Sequence, residues 1–411
     1  MKKNEINGFE IVKRGGVCTP LGFSAAAIAA DIKGKGKGNL DLTLLVSDTP
    51  CQTAAVFTTN KVTAAPVRYS RSLLNETQEF MGVIVNSGCA NACTGTVGLD
   101  NLKQTTMMVE RRLKLPTDSL LVASTGVIGV QMPMDRVTAA IPELCGSLDD
   151  DNGNMFAKAI MTTDTVSKEA AVMVSTDDGN YVIGGACKGA GMIEPAMATL
   201  LGFITTDMEI SADELQSLLK ETADETFNTT TVDGDMSTND TLIAFANGMS
   251  GVSLSDGKRR EQFYSAFKWV CRELALMVVK DGEGATKLIK VVVTGAKSDK
   301  DAKACAAKIA NSSLVKTMFA GCDPNWGRIM ASAGASDAEF DPDNVTIWFN
   351  DLLYVKDSLI IDPALEDKAK EIMKQPEYSI TVDLNAGKGR YIMYSCDMTT
   401  DYIKINADYR S

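Results

Sequence analysis

The sequence predicts a layered α/β (α+β) protein, and three observations carry that reading. Helical and strand periodicities both occur, but in mixed order and without the strict alternation of a doubly wound sheet. Hydrophobic residues make up 45% of the 411, which supports roughly two or three compact units, or one large layered one, and argues against disorder. No internal repeat, low-complexity tract or long linker divides the chain.

Taken in order, residues 1–70 read as β-rich. Runs at 42–48 and 54–61 are short, apolar and closed by turn residues. Between them and the start, Lys33, Lys35 and Lys37 alternate with Gly34, Gly36 and Gly38. The spacing is not that of a phosphate-binding loop, so a solvated loop or hairpin is expected. Residues 80–86 predict a buried strand opening into a small-residue loop at 87–95. A helix is expected near 100–113 and a strand at 119–123, ending in Ser124-Thr125-Gly126-Val127-Ile128-Gly129. Residues 153–161 read as helix and lead into Met161-Thr162-Thr163-Asp164-Thr165. Strands at about 170–175 and 181–186 flank Asp177-Asp178-Gly179-Asn180, a hairpin turn signal.

Beyond residue 207, Ser211-Ala212-Asp213-Glu214 reads as a capping box, followed by Leu215, Leu218 and Leu219 at helical spacing. A second helix, 258–279, carries Phe263, Phe267, Val270, Leu274 and Met277 on one face. It stops at 281–286, and a β-branched strand follows at 288–294. A helix at 300–310 and a Gly/Pro-rich turn at 321–328 come next. The tail reads as mostly strand, with 385–389 as a hairpin loop.

Composition excludes several functions. The net charge is −12 and no Lys/Arg cluster is available to neutralise phosphates, so nucleic acid is set aside. The 10 cysteines include no Cys-x-x-Cys pair and read as free thiols in a reducing cytosol. No secretory signal follows Met1-Lys2-Lys3, and no apolar run reaches membrane-spanning length, so a cytoplasmic protein is expected. Histidine is absent altogether. Ser-His-Asp and Cys-His catalysis and His-containing zinc sites are therefore ruled out. A nucleophile here needs a Lys, a carboxylate or an amine as its base.

The stretch from Lys188 to Asp207 meets that requirement best. Lys188-Gly189-Ala190-Gly191 is a basic, Gly-bracketed loop; Pro195 interrupts any helix or central strand; Thr199 follows the small Ala198 and precedes an apolar run. A threonine so placed is a candidate nucleophile whose own α-amine, once freed, ordinarily titrates at roughly pH 7.7–8.0. A core strand that happens to carry a threonine fits the same pattern.

Residues 86–95, 124–129, 161–165, 188–207, 232–241, 281–287, 321–328 and 406–411 together, in order and rough spacing, resemble the glutamate N-acetyltransferase family, also called ornithine acetyltransferases, of arginine biosynthesis. The resemblance covers essentially the whole chain. It implies an αββα-type sandwich with an N-terminal-nucleophile-like active site and a smaller C-terminal α/β region. It implies self-cleavage between Ala198 and Thr199 into an α chain, 1–198, and a β chain, 199–411, at a point that is not a domain boundary. It makes Thr199 the nucleophile and Thr125 and Gly126 the oxyanion donors, and it maps substrate contacts onto Thr162, Lys188, Thr199, Glu283, Asn406 and Ser411. The implied reaction is ping-pong transfer of acetyl from N2-acetyl-L-ornithine to L-glutamate. No metal or cofactor is implied, acetyl-CoA enters only as an alternative co-substrate, and an α2β2 assembly is expected. Charge assigns Lys188 to a substrate carboxylate and Glu283 to a substrate ammonium. For the Gly126 N–H, a place just past a strand end gives access. Two positions depart from the family pattern: Ala196 and Cys89 each stand where Asn is usual. Two rival readings remain at this level, an N-terminal-nucleophile amidohydrolase or aminopeptidase, and a non-catalytic amino-acid-binding protein.

Overall fold

The computed structural model describes residues 5–6, 8–34, 36, 38–194, 200–254 and 257–408. Ala196, Ala198, Thr199 and Ser411 lie outside the described residues. The first unit contains β1 (Glu5–Ile6), β2 (Phe9–Ile11), β3 (Phe23–Ile28), β4 (Leu42–Phe57), α1 (Ala65–Leu74), β5 (Glu79–Cys89), α2 (Gly95–Leu113), β6 (Leu120–Val127), α3 (Met134–Gly146) and α4 (Gly153–Ala159). It continues with β7 (Lys168–Thr176), β8 (Gly179–Lys188), β9 (Leu201–Thr206), α5 (Ala212–Glu225), β10 (Thr241–Ala246) and α6 (Gly257–Lys280). Its strands run in the order β1-β2-β7-β8-β9-β10-β4-β5-β6, with β3 paired to β4 off that path.

β4 is the joint of this architecture. The two apolar runs read from the sequence are one strand of 16 residues. Its first part pairs with β3 through Ser47 and with β5 through Val46; pairing with β5 resumes at Cys51 and Gln52, and Gln52 to Phe57 pair with β10. A register shift between Val46 and Cys51 lets the polar middle stay in the ladder while the strand passes from one half to the other. Neighbouring residues of β9 and β10 serve different cores. Phe203, Ile243 and Phe245 enter the core shared with α1, α2 and α3; Ile204, Leu242 and Ala244 enter the core shared with α5 and α6. Burial on both faces is why these strands read as unbroken apolar runs. The result is the expected αββα layering.

The helices follow their patterns closely. Ser211 caps α5 by accepting the Glu214 N–H at 3.4 Å. Glu214, however, pairs through its carboxylate with Arg260 at 2.6 Å and so ties α5 to α6. On α6, Phe263, Phe267, Val270 and Leu274 are buried as expected, while Met277 is half-buried and Val278 and Val279 take the inner places. The early chain is less purely β than it reads, because Pro66 starts α1 rather than breaking it.

The second unit has β11 (Leu288–Ala296), α7 (Asp299–Ala310), α8 (Ser313–Gly321), α9 (Trp326–Gly334), β12 (Thr346–Phe349), β13 (Leu352–Lys356), β14 (Leu359–Ile360), α10 (Glu366–Met373), β15 (Glu377–Asp383), β16 (Gly389–Cys396) and α11 (Thr400–Asp408). Its sheet order is β14-β13-β12-β15-β11-β16, over a core of its own. Residues 385–389 are therefore not a hairpin loop. β15 runs parallel to one edge of β11 and β16 antiparallel to the other, so the connection crosses over β11. The apolar β11 takes the interior slot that a hairpin would have closed. β8 and β9, which flank residues 189–200 in the sequence, are neighbours in the first sheet. Among the described residues, no helix is long and apolar enough to cross a membrane.

Candidate active site

Five separate segments meet at one cleft with about 580 Å³ of open space. β6 brings Thr125 and Gly126, the loop after α4 brings Thr162, the end of β8 brings Lys188, the loop after α6 brings Glu283, and α11 brings Asn406. All six are sequence-predicted site residues. The fold thus unites every predicted position that falls among the described residues.

Gly126 lies inside β6 and not just past its end, because the strand runs on through Val127 in register with β5. Access comes instead from β6 being the last strand of its sheet. Alternate backbone groups on an edge strand point away from the neighbour. The Val122 N–H donates outward to Ser70 Oγ at 2.9 Å, and the Ser124 carbonyl accepts outward from Asn239 Nδ2 at 2.8 Å. Gly126 is next in that alternation, so its N–H faces off the edge, on the side of the cleft it lines. Only glycine fits there. Its φ is +130°, and a Cβ would lie 2.3 Å from the Gly88 carbonyl carbon and 2.6 Å from the Cys89 nitrogen. Cys89 is buried beneath this contact with its Sγ 3.5 Å from the Val130 carbonyl, and burial raises its thiol pKa. It acts as a packing residue.

The cationic end of the cleft is built on a buried charge network. Lys188, 2% exposed, donates from Nζ to Thr162 Oγ1 at 3.2 Å. Asp164 holds both partners in place. It accepts the Gly189 N–H at 2.7 Å and the Thr162 N–H at 3.1 Å. Asp164 also pairs with Lys168 at 2.6 Å, and Lys168 pairs with Asp281 at 2.6 Å. Burial alone would raise the Asp164 carboxyl, but the charges of Lys188 and Lys168 and the Gly189 N–H hold it below its ordinary value. Burial pulls Lys188 below the ordinary lysine value, against the opposing pull of Asp164, Asp240 and Glu283.

The anionic end is Glu283. Its N–H donates to the Ala190 carbonyl at 2.8 Å, and its Oε2 accepts from Asn406 Nδ2 at 2.7 Å. Gly191 makes room for it, since a Cβ there would lie 2.5 Å from the carboxylate. Asn406 also donates to the Tyr402 carbonyl at 3.0 Å, and the Tyr402 hydroxyl donates to Asp233 Oδ2 at 3.2 Å. Asp233 in turn accepts the Met192 and Ile193 N–H groups at 2.7 and 2.8 Å. One carboxylate therefore fastens α11 to the loop that leads to residue 195.

Just beyond residue 199, the Leu200 N–H donates to Asp240 Oδ1 at 2.9 Å. Asp240 is fully buried, and burial raises its carboxyl well above the ordinary value despite the Leu200 N–H and the nearby Lys188 charge. Sequence reasoning gives no role to Asp164, Asp233, Asn239 or Asp240. All four lie in stretches that carry the family resemblance. An acidic residue in a polar loop reads as solvated until the fold shows what surrounds it. Among the described residues, the group of three side chains placed to share a metal ion is Asp149, Asp150 and Asp151, which is exposed and does not line the cleft. The cleft is thus lined by a buried cation, Lys188, a carboxylate, Glu283, and the backbone of Gly126.

A family model described as the ArgJ family matches residues 24–411. A protein called arginine biosynthesis bifunctional protein ArgJ, from Dehalococcoides mccartyi (strain CBDB1), is 45% identical over 407 residues, 98% of this chain and 99% of its own. A protein called glutamate N-acetyltransferase, from Methanocaldococcus jannaschii, is 43% identical over 405 residues, 96% of this chain and 98% of its own. Among solved structures, that of arginine biosynthesis bifunctional protein ArgJ from Bacillus halodurans is 40% identical with a TM-score of 0.48, covering 50% of this chain and 98% of its own.

Proposed function

The chain belongs to the ArgJ family, and we propose that it transfers an acetyl group from N2-acetyl-L-ornithine to L-glutamate after cutting itself between Ala198 and Thr199. The Thr199 hydroxyl adds to the acetyl carbonyl of N-acetylornithine. The C–N bond breaks, ornithine leaves with the proton on its amine, and an acetyl ester remains on Thr199. The amine of glutamate then attacks the ester, which releases N-acetylglutamate and returns the proton to the threonine oxygen. Cleavage frees the α-amine of Thr199, which acts as the local base in a chain without histidine.

The observation that carries this reading is the convergence of Thr125, Gly126, Thr162, Lys188, Glu283 and Asn406 on one cleft, with Leu200, the residue after Thr199, anchored to Asp240. Lys188 takes the substrate carboxylate and Glu283, steadied by Asn406, the ornithine ammonium. The edge-facing Gly126 N–H stabilises the oxyanion, a contribution of about 2.7–4 kcal/mol for a donor of this kind. Ser411 completes the substrate contacts. The enzyme works in the cytoplasm as an α2β2 assembly without a bound cofactor, and acetyl-CoA serves as an alternative acetyl donor.

The test is purified protein with N-acetylornithine, with and without glutamate, followed for N-acetylglutamate, ornithine and acetate. Glutamate-dependent N-acetylglutamate in step with ornithine supports the transfer. Acetate release as the main outcome in the presence of glutamate would mean an amidohydrolase, and no turnover from an uncut chain a binding protein.

A further inference from the structure

The cleft is mostly polar; among its described lining, the apolar side chains are Ala90, Ile128 and Met192. They stand at different ends. Met192 follows Gly191, where a Cβ would lie 2.5 Å from the Glu283 carboxylate, and its N–H donates to Asp233 Oδ2 at 2.7 Å, so it belongs to the anionic end. Ala90 and Ile128 belong with Gly126. Ile128 comes two residues after it in the chain, and Ala90 follows Cys89, whose nitrogen would lie 2.6 Å from a Cβ on Gly126.

This pair is held from several sides. The Ala90 N–H donates to the Val127 carbonyl at 3.0 Å, and the Gly129 N–H donates to the Ala92 carbonyl at 3.0 Å. Ile128 is therefore bracketed by backbone bonds to the segment that carries Ala90. Asn239 Nδ2 closes on the Ala90 carbonyl at 2.6 Å, with the Ser124 carbonyl as its second acceptor at 2.8 Å. Behind them, Ala64, Ala90 and Ala92 form a small buried apolar cluster against which the half-buried Ile128 packs. The alanines have no rotamers to change, and β-branching leaves Ile128 few χ1 states, so the wall does not retreat for a larger group.

We propose that Ala90 and Ile128 seat the methyl of the acyl group and set the length of acyl chain that the enzyme accepts, a role that rests on the acyl-transfer reading above. With the acyl oxygen on the Gly126 N–H, the methyl is the part of the acyl group that has no polar partner. The wall of Ala90 and Ile128 is the apolar surface adjoining that donor. Acetyl fits against it. A propionyl or butyryl chain has to displace Ile128 or turn its methylenes onto the polar lining.

The test compares N2-acetyl-, N2-propionyl- and N2-butyryl-L-ornithine as donors, with glutamate present, by ornithine release. The kcat/KM for the donor reports the acylation half-reaction, and the ratio between two donors cancels any loss of folded or active protein. Native protein should favour acetyl over propionyl by about 10-fold or more. Ile128→Ala, which removes the side chain beyond Cβ, should raise the butyryl-to-acetyl ratio by about 10-fold or more. Ile128→Val, a smaller change that decides the matter if the alanine variant does not fold, should raise the propionyl-to-acetyl ratio by about threefold or more. Met192→Ala should leave both ratios where they are, whatever it does to the rate itself. Native protein that uses propionyl within about threefold of acetyl overturns the proposal, as do ratios that stay within about twofold in the Ile128 variants, or a shift that appears only in Met192→Ala. Each of those results needs active protein. Native protein that releases no ornithine from any of the donors instead overturns the acyl-transfer reading, and this inference with it.

Discussion

Replacing Gly126 by alanine tests the oxyanion assignment through a contact that the backbone cannot avoid. The added Cβ would sit 2.3 Å from the Gly88 carbonyl carbon and 2.6 Å from both the Cys89 nitrogen and the Gly88 Cα. All three are backbone atoms of β5, so no side chain can swing aside. Ordinary contact begins at 3.4 Å, so β6 has to move off β5 by about 1 Å at this residue. A φ of +130° adds strain of about 1–3 kcal/mol for any L residue. Together with overpacking, the stability loss should be about 2–5 kcal/mol. The displaced N–H no longer meets the developing charge, and a misplaced donor of this kind costs roughly 10²–10³ in kcat. Gly129→Ala is the internal control: its φ is +81°, but nothing lies within 4 Å of its Cβ. It should lose about 1–3 kcal/mol of stability from strain alone and keep kcat. The assay is steady-state acetyl transfer by fully cleaved protein, paired with urea unfolding of each variant. If folded Gly126→Ala turns over within about threefold of the native rate, the Gly126 N–H is not the oxyanion donor.

Two further substitutions test the charge network behind Lys188. Lys168→Met leaves Asp164 and Asp281 as buried carboxylates without their shared cation, so urea unfolding near neutral pH should show a loss of about 3–5 kcal/mol; a loss below about 1 kcal/mol would contradict the network's role. The native pair also sets a pH window. The Asp164 carboxyl is lowered on folding, so its contribution is present above the ordinary carboxylate range and fades as pH falls through the folded value; Lys168 is raised, against burial and by Asp164 and Asp281, so its contribution holds below the ordinary lysine value and fades as pH climbs past it. Asp164→Asn should raise KM for N-acetylornithine by roughly 10-fold or more with kcat little changed, and should move the alkaline limb of kcat/KM to lower pH, because Lys188 loses a neighbour that favours its charged form. An unchanged KM and limb would assign Asp164 to folding alone.

Most of the architecture can be read from residues because burial leaves a periodic trace. The two-residue turn between β7 and β8 emerges as written in the chain, and the stripe on α6 does so through Leu274, with Val278 and Val279 rather than Met277 buried at its end. β4 does not, because its polar middle looks like a break and only the register against β5 shows that the ladder continues. The connection after β15 reads as a hairpin because a turn signal reports a change of direction and not the strand that slips between its arms. At the site, Lys188, Glu283 and Asn406 are found through the family resemblance, and the fold brings them together. Asp164, Asp233 and Asp240 escape sequence reasoning, because what sets them apart is burial and partners from distant segments. Asp240, for example, becomes notable only once its Oδ2 is found buried and unpaired beside the backbone of Leu200. Neither property leaves a local pattern.

The central claim is that Thr199 carries the acetyl group between the two amino acids. Intact-mass spectrometry of native protein quenched after mixing with N-acetylornithine alone tests it most directly. The account predicts two fragments, 1–198 and 199–411, with one acetyl group on the second, located on its N-terminal Thr199 as an oxygen ester and removed on adding glutamate. An uncut chain that still transfers acetyl, or an acetyl group found on any other residue and passed on from there, would contradict it.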